Sequence, residues 1–293
     1  MGNYSKIIKL SNGQSVWTRS EGEGSIKILL LHGGPGMTHE YLEPFSKYIK
    51  NKKVQIIYYD QLGSYYSDQP NDASLWNIPR FCEEVEEVRR AWNLDSFYLY
   101  GQSWGGMLAM EYATRYSNHL RGLIDSNMID DMHAYEDYIN KLRDSMDPSD
   151  VKYMKQKESE SNLDDNHYNE LVMKLYKSCI CRLDPWPDAV NRAFDRINEQ
   201  VYLTLQGPTE FTISGSLRTW SIRDRLNTIK VPTLLLGGKY DSMNPEVIKE
   251  MVDRFPNAEA HICSNGSHFS IWDDQADYFE AITRFIDKVE IKH

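Results

Sequence analysis

A serine set between glycines is the residue of this sequence whose surroundings most clearly indicate chemistry. Ser103 lies in Gly101-Gln-Ser-Trp-Gly105, which has the pattern G-x-S-x-G. The apolar run Phe97–Tyr100 precedes it, and the helical pattern Met107–Tyr116 follows it. On a sharp turn between a strand and a helix, a serine hydroxyl stands clear of the sheet, and only small neighbours let the backbone close around it. The pattern therefore predicts that Ser103 is the nucleophile of a hydrolase.

A nucleophilic serine needs a base to take its proton and an acid to orient that base. In folds with this serine turn, the acid and then the histidine follow the serine along the chain, each on a loop after a later strand. Asp241 comes just after the apolar run Leu234–Gly238, and His268 comes after the strand-like run Ala258–Cys263. His32 precedes the serine, so its order is wrong. We therefore predict that His268 is the base and Asp241 the acid.

Backbone N–H groups are expected to stabilise the oxyanion that forms when the serine attacks a carbonyl. Trp104, directly after the nucleophile, is expected to supply one donor. The loop His32–Gly36 follows the apolar run Ile26–Leu31, and its glycines let N–H groups face a ligand without a side chain in the way. We predict that Gly34 supplies the second donor.

Short apolar runs alternate with helical patterns through the first part of the chain. This alternation is typical of a mainly parallel sheet that is covered by helices on both faces. The pair Asn12-Gly13 is a strong signal for a tight turn, which predicts a hairpin near the N-terminus. Further predicted elements are the strands Tyr4–Leu10, Gln14–Arg19, Val54–Tyr59, Leu123–Ile124 and Val231–Gly238 and the helix Phe81–Trp92.

The strand pattern stops near Asp130 and resumes after about residue 220. Residues 131–220 are polar and helical in pattern, with few strand signals, and we call them the cap segment. We predict that the cap segment is an insertion between the two parts of one core, residues 1–130 and 221–293. Together with the serine turn, this organisation predicts an α/β class protein with the α/β-hydrolase fold.

The composition excludes several classes of protein. Hydrophobic residues make up 41% of the chain, which is ample for a packed core, and the net charge of −10 argues against nucleic-acid binding. No run approaches the roughly 18 apolar residues of a membrane span, and Met1–Lys6 lacks the apolar start of a secretory leader. Four scattered cysteines do not suggest a disulfide framework, so we expect reduced thiols in a cytoplasmic protein. No ligand spacing typical of a metal site occurs, and we predict neither metal nor cofactor.

Several motifs in combination resemble those of the proline iminopeptidase family, and most closely the branch that contains the archaeal tricorn-interacting aminopeptidase. The resemblance implies a cytosolic serine peptidase without a metal, which releases N-terminal residues, often proline, from short peptides. It also implies that Glu210 holds the free α-amino group of the substrate, and a buried ammonium does need a charged, hydrogen-bonding partner. The motifs are His32-Gly-Gly-Pro-Gly36, Asp60-Gln-Leu-Gly63 with Ser67-Asp-Gln-Pro70, Gly101-Gln-Ser-Trp-Gly-Gly106, and Gly207-Pro-Thr-Glu-Phe-Thr-Ile-Ser-Gly215.

The sequence departs from the family pattern at Ser242. Relatives commonly carry an acidic residue directly after the triad aspartate, so the resemblance implies an ammonium site with one charge fewer in this chain. Short peptides or aminoacyl amides are the expected substrates, but a related hydrolase of amino-acid amides, small esters or acyl lactones stays open as an alternative. A non-catalytic receptor on the same fold is an alternative from another class, although the complete triad argues against it. The preferred first residue, the peptide length and the oligomeric state stay open.

Aromatic residues are frequent in the cap segment. Their side chains could line an apolar slot for a proline ring, although each such residue is more often part of a core than a ligand contact. The candidates are Tyr135, Tyr138, Tyr176, Trp186 and Tyr202.

Overall fold

The computed structural model describes residues 4–49 and 53–291. Residues 1–3, which belong to the N-terminal segment considered above, lie outside the described residues, as do 50–52 and 292–293. None of the helices in the described ranges is both long and apolar enough to span a bilayer.

An eight-stranded sheet lies at the centre of the described residues, in the order β1-β2-β4-β3-β5-β6-β7-β8. The first two strands pair antiparallel and β2 pairs antiparallel with β4, whereas all other neighbours are parallel. The mainly parallel sheet of the prediction is thus confirmed. The strands are β1 Tyr4–Lys9, β2 Ser15–Gly22, β3 Ile26–Leu31, β4 Val54–Asp60, β5 Phe97–Gln102, β6 Leu120–Ser126, β7 Thr233–Gly238 and β8 Ala258–Cys263.

Helices flank this sheet and fill the interval between β6 and β7. The predicted helix at Phe81 begins earlier, because Asn77 accepts a hydrogen bond from the N–H of Arg80 at 3.0 Å and caps the first turn. The helices are α1 Pro44–Tyr48, α2 Ile78–Ala91, α3 Trp104–Tyr116, α4 Met132–Asp144, α5 Pro148–Ser159, α6 Asn166–Cys179, α7 Asp188–Asp195, α8 Glu199–Leu205, α9 Pro245–Met251, α10 Ser270–Asp273 and α11 Gln275–Glu290.

The central strands are continuous apolar runs because both of their faces are covered. All six residues of β5 are buried, and so are all six of β7. The antiparallel hairpin forms as predicted, with Asn12 accepting a hydrogen bond from the N–H of Gln14 at 3.0 Å in the turn. The structure lengthens the predicted strand Leu123–Ile124 to Leu120–Ser126, since the flanking residues on both sides also pair with the neighbouring strand β5.

Helices α4 to α8 lie within the cap segment, and its predicted limits of 131 and 220 stay a prediction. The turn before α8 is fastened to the loop after β3: the N–H of Asn198 donates to the carbonyl of Gly36 at 2.9 Å. Arg192 and Arg196 of the α7 region both pair with the buried Glu40 of the core. The cap segment therefore packs directly over the loops at one edge of the sheet.

That edge is where the carboxyl ends of the parallel strands meet, the usual place for a ligand in an open α/β sheet. The loops after β3, β5, β7 and β8 carry Gly34, Ser103, Asp241 and His268 in that order. The topology therefore gathers residues that are far apart in the sequence.

Candidate active site

Ser103 occupies a strained turn between the end of β5 and the start of α3. Its φ of 55° and ψ of −124° lie in a region that residues other than glycine rarely adopt. The backbone is held there because the N–H of Ser103 donates to the carbonyl of Ser126 at 2.9 Å. A Cβ on Gly101 would lie 2.0 Å from the carbonyl oxygen of Gly105, so the turn cannot close around a larger residue. The G-x-S-x-G spacing therefore has a steric cause in this chain.

His268 and Asp241 form a buried pair on the loops after β8 and β7. The Nδ1 of His268 lies 2.8 Å from Oδ1 of Asp241, and because a carboxylate only accepts, Nδ1 carries the hydrogen. The backbone N–H of Met243 also donates to Oδ1 at 2.9 Å. The main chain of the histidine loop is held by the cap segment, since the N–H of His268 donates to the carbonyl of Cys179 at 2.9 Å and that of Phe269 to Ile180 at 2.8 Å.

The surroundings of His268 change its affinity for a proton. Burial by itself lowers the pKa of the imidazole. The charge and hydrogen bond of Asp241 oppose this effect, with smaller contributions from the carboxylates of Glu210 and Asp273, and together they raise the pKa above the usual histidine value. The surroundings thus favour the protonated form of His268. A catalytic base needs this property, because it must hold a proton for part of the reaction.

Ser103 and His268 line one cavity of ≈450 Å³ beneath the cap segment. The hydrogen bonds among the described residues do not include one between Ser103 Oγ and the His268 ring. Catalytic hydrogen bonds are often long without substrate and tighten when it binds. Because Nδ1 is engaged with Asp241, Nε2 is the nitrogen that is left to face the serine.

Gly34 and Trp104 lie close to the serine. Gly34 has a φ of 114°, a conformation that favours glycine, and a Cβ there would lie 2.7 Å from the backbone nitrogen of Met37. The preceding N–H, that of Gly33, already donates to the Tyr41 hydroxyl at 2.6 Å. Trp104 begins α3, where N–H groups have no acceptor within the helix. Both residues line a second cavity of ≈20 Å³ that also touches Ser103.

Glu210 lines both cavities and is held by tyrosine hydroxyls. Tyr202 donates to Oε1 at 2.7 Å and Tyr135 donates to Oε2, while the N–H of Glu210 donates to the Tyr176 oxygen at 3.3 Å. Burial first, and then the Glu210 charge, raise the pKa values of these three tyrosines well above the usual range. They therefore stay protonated, and two of them, Tyr135 and Tyr202, act as donors to the carboxylate.

The large cavity combines an apolar wall with negative charge. Its charged lining residues are Asp164, Glu199 and Glu210, and none of the described residues that line it is lysine or arginine. Such a cavity suits a ligand with an apolar body and a positive charge. The apolar lining residues are Met37, Leu163, Val172, Ile180, Phe194, Ile197, Leu203 and Phe269.

Ser242, where the sequence departs from the family pattern, does not line either cavity. Its buried hydroxyl lies 3.4 Å from Oδ1 of Asp241 and so faces the triad aspartate. Of the three carboxylates that line the large cavity, that of Glu210 also lines the small cavity beside Ser103.

The structure brings all six predicted site residues to one place, and it adds residues that the sequence analysis did not select. Of the cap aromatics, Tyr176 and Tyr202 line the large cavity and Tyr135 lines the small one, whereas Tyr138 and Trp186 line neither. Tyr135, Tyr176 and Tyr202 contact Glu210 through their hydroxyl groups rather than through their rings. Asn127, which donates to Asp241, was also missed, and no local motif marks it.

One group of side chains with metal-binding chemistry lies elsewhere in the described residues. The ligand atoms of His261, Cys263 and Asp277 lie within 4.8 Å of one another. The imidazole Nε2 of His261 is already bonded to Asp277 at 2.8 Å. None of the three lines either cavity, so they do not touch the serine.

Comparisons with known proteins agree on the fold and on a family. The family model of the alpha/beta hydrolase fold matches residues 27–275. The proline iminopeptidase of Flavobacterium johnsoniae is 44% identical over 94% of each chain, and that of Elizabethkingia meningoseptica is 43% identical over 94% of this chain and 95% of its own. The crystal structure of VinJ is similar with a TM-score of 0.92, at 29% identity over 98% of each chain. The proline iminopeptidase structure from Mycobacterium smegmatis gives 0.91, at 25% identity over 99% of each chain.

Proposed function

We propose how the residues described above act in this chain, which belongs to the alpha/beta hydrolase fold family and, within it, to the proline iminopeptidases. The chain is a hydrolase of the prolyl aminopeptidase type. Its substrates are peptides with a free N-terminal residue, of which we propose that proline is preferred. The assignments of individual residues below are part of the proposal.

Substrate binding begins at Glu210. The α-ammonium of the first residue binds the Glu210 carboxylate, which the Tyr135 and Tyr202 hydroxyls hold in position. The carbonyl of the same substrate residue then lies at Ser103, because the side chains of Glu210 and Ser103 line the same two cavities. Because the bound α-ammonium and the attacked carbonyl belong to the same residue, each cycle releases one N-terminal residue.

Bond cleavage then follows the acyl-enzyme route. Oγ of Ser103 attacks the carbonyl carbon and its proton passes to Nε2 of His268, while Asp241 stabilises the imidazolium. The N–H groups of Gly34 and Trp104 donate to the oxyanion. The C–N bond breaks when His268 returns the proton to the leaving amine, and the first residue stays on Ser103 as an ester.

Hydrolysis of that ester completes the cycle. A water molecule gives a proton to His268 as its oxygen attacks the ester carbonyl, and the same N–H donors bind the second oxyanion. The C–O bond to Ser103 breaks, the serine regains its proton from His268, and the free amino acid leaves.

The observation that carries this proposal is the position of Glu210. Simple esters and acyl lactones bear no ammonium, so they would cover the half-buried Glu210 carboxylate without supplying a positive charge to pair with it. The carboxylate in a cavity without lysine or arginine among its described lining residues favours a substrate with a free amine. We also propose that the protein acts in the cytoplasm, a location supported by the four free, buried cysteines.

Paired substrates test the proposal. Purified protein is assayed with prolyl and alanyl β-naphthylamides, N-acetylprolyl β-naphthylamide and an acyl homoserine lactone. We expect the prolyl compound to be cleaved fastest and its N-acetyl form poorly. Equal rates with and without the free amine, or faster lactone hydrolysis, would refute the aminopeptidase assignment. Labelling by a fluorophosphonate, lost in Ser103→Ala, separates a serine hydrolase from a non-catalytic receptor.

A further inference from the structure

Asn127 lies behind the triad, outside the cavity that holds the substrate. It directly follows β6, is 1 % exposed, and is not among the residues that line either cavity. Its φ of 52° is a left-handed conformation that asparagine tolerates better than most residues. The backbone N–H donates to the carbonyl of Leu236 in β7 at 2.8 Å. The backbone of Asn127 is therefore fixed, and it sets the direction of the Asn127 side chain.

The Asn127 amide joins the two loops that carry the acid and the base. Its Nδ2 donates to Oδ2 of Asp241 at 2.6 Å and to the carbonyl of Ser267, the residue before His268, at 3.1 Å. Oδ1 of Asp241 already accepts from His268 and Met243. Within the described part of the chain, Asn127 is the hydrogen-bond donor to the other oxygen of that fully buried carboxylate.

A chain of hydroxyls fixes the orientation of the Asn127 amide. Ser126 Oγ donates to Oδ1 of Asn127 at 2.6 Å, and Ser126 Oγ lies 2.8 Å from the Tyr278 hydroxyl. Tyr278 in turn lies 2.6 Å from the hydroxyl of Tyr100. A flipped amide would place its oxygen against the Asp241 carboxylate and the Ser267 carbonyl, both of which only accept. The NH₂ group must therefore face the triad.

We propose that Asn127 is a positioning residue, which sets the carboxylate of Asp241 and the loop of His268 in one arrangement. The inference rests on the proposed roles of Asp241 and His268 and adds a residue to them. Asn127 touches no reacting atom, so its effect should appear in turnover rather than in substrate binding. Losing a hydrogen bond to a charged group at this point is expected to lower kcat by roughly tenfold to a hundredfold.

The test uses two variants and a matched control. Asn127→Gly removes the amide but suits the left-handed backbone. Asn127→Asp keeps the shape, but its carboxyl can donate to Asp241 only while it is protonated. Asn93→Gly is the control, because Asn93 is exposed and also has a φ of 52°. Each is assayed with prolyl β-naphthylamide across pH, and thermal unfolding is measured.

For Asn127→Gly we expect lower kcat, little change in KM, and an acidic limb of the pH profile that moves to lower pH. The limb moves because a loosened Asp241 bond no longer raises the pKa of His268 as far, while Glu210 and Asp273, the other carboxylates that act on His268, are unchanged. For Asn127→Asp we expect activity relative to the parent to fall as pH rises. Asn93→Gly should match the parent.

Several outcomes would overturn the inference. An unchanged kcat and limb in Asn127→Gly would show that the amide does not position the triad. An acidic limb that moves to higher pH would mean that Asn127 weakens the effect of the Asp241 charge on His268 and does not orient the carboxylate. Lower activity with an unmoved limb and a lower unfolding temperature would indicate a structural role only. If Asn127→Gly does not fold, a constant activity ratio for Asn127→Asp across pH overturns the inference. An inactive parent would instead refute the proposed function.

Discussion

Replacing Glu210 with glutamine separates recognition of the substrate amine from the chemistry at the serine. Each carboxylate oxygen of Glu210 already accepts one tyrosine hydroxyl, and each has a second lone pair free for an ammonium. Glutamine keeps the shape, and a tyrosine hydroxyl can turn to accept from its NH₂. The main loss is therefore the charge-assisted bond, worth about 1.5–3 kcal/mol, which corresponds to roughly a tenfold to 150-fold lower kcat/KM.

The assay compares two substrates that differ in the free amine. Prolyl β-naphthylamide should suffer the full loss in Glu210→Gln, whereas p-nitrophenyl acetate should be hydrolysed about as well as before. Because the Glu210 charge also contributes to the raised pKa of His268, both rates are measured on the alkaline plateau, where His268 is neutral in either protein. Glu280→Gln, at an exposed position on α11, is the matched control and should not change either rate.

The ratio of the two losses decides the outcome. Equal losses on both substrates would mean that glutamine disturbs the triad or the fold. No loss on either substrate would show that Glu210 does not bind the amine, and the ester or lactone hydrolase would then be the better assignment.

Three further predictions concern the triad itself. Ser103→Ala should lower kcat by roughly 10⁴-fold or more and leave thermal unfolding nearly unchanged; near-normal turnover would remove the serine from the mechanism. His268→Ala should cost about as much, and the double variant Ser103→Ala/His268→Ala little more, since the two act as a unit; losses that multiply would contradict the base assignment. The acidic limb of kcat/KM should lie above the ordinary histidine value of about pH 6.5, because Asp241 raises the pKa of His268 and only the neutral ring is a base. A rate that does not change between pH 6 and 8, roughly the range in which histidine titrates, would refute this.

Much of the site could be predicted from sequence because its chemistry is tied to strand ends. Ser103, Asp241 and His268 each lie on the loop that follows a strand of the sheet, so the order of strands along the chain also orders the loops at one edge of the sheet. The fold class depends on the same pattern. Helix α3, by contrast, begins at Trp104 rather than at the first residue of the periodic pattern, because a glycine pair hides its first turn.

What the sequence did not predict depends on contacts between distant residues. Asn127 lies 114 positions from Asp241, and a polar residue after a strand has no distinguishing pattern of its own. The tyrosines around Glu210 were considered as apolar walls, because side-chain type does not tell which end of a tyrosine faces the ligand. An ordinary histidine pKa would be the expectation from sequence, since the depth of burial and the nearby carboxylates appear only in three dimensions.

The attachment of the histidine loop to the cap segment limits how a substrate can enter. Two main-chain hydrogen bonds, from His268 and Phe269 to the carbonyls of Cys179 and Ile180, join the catalytic loop to the end of α6. A lid that opened by lifting this end would pull the base away from the serine at the same time. If a substrate entered by movement of the opposite end of α6 instead, His268 would keep its position relative to Ser103. A cap transplanted from a relative would accordingly need two free carbonyls at this junction, whatever its own sequence, if the enzyme is to keep its turnover.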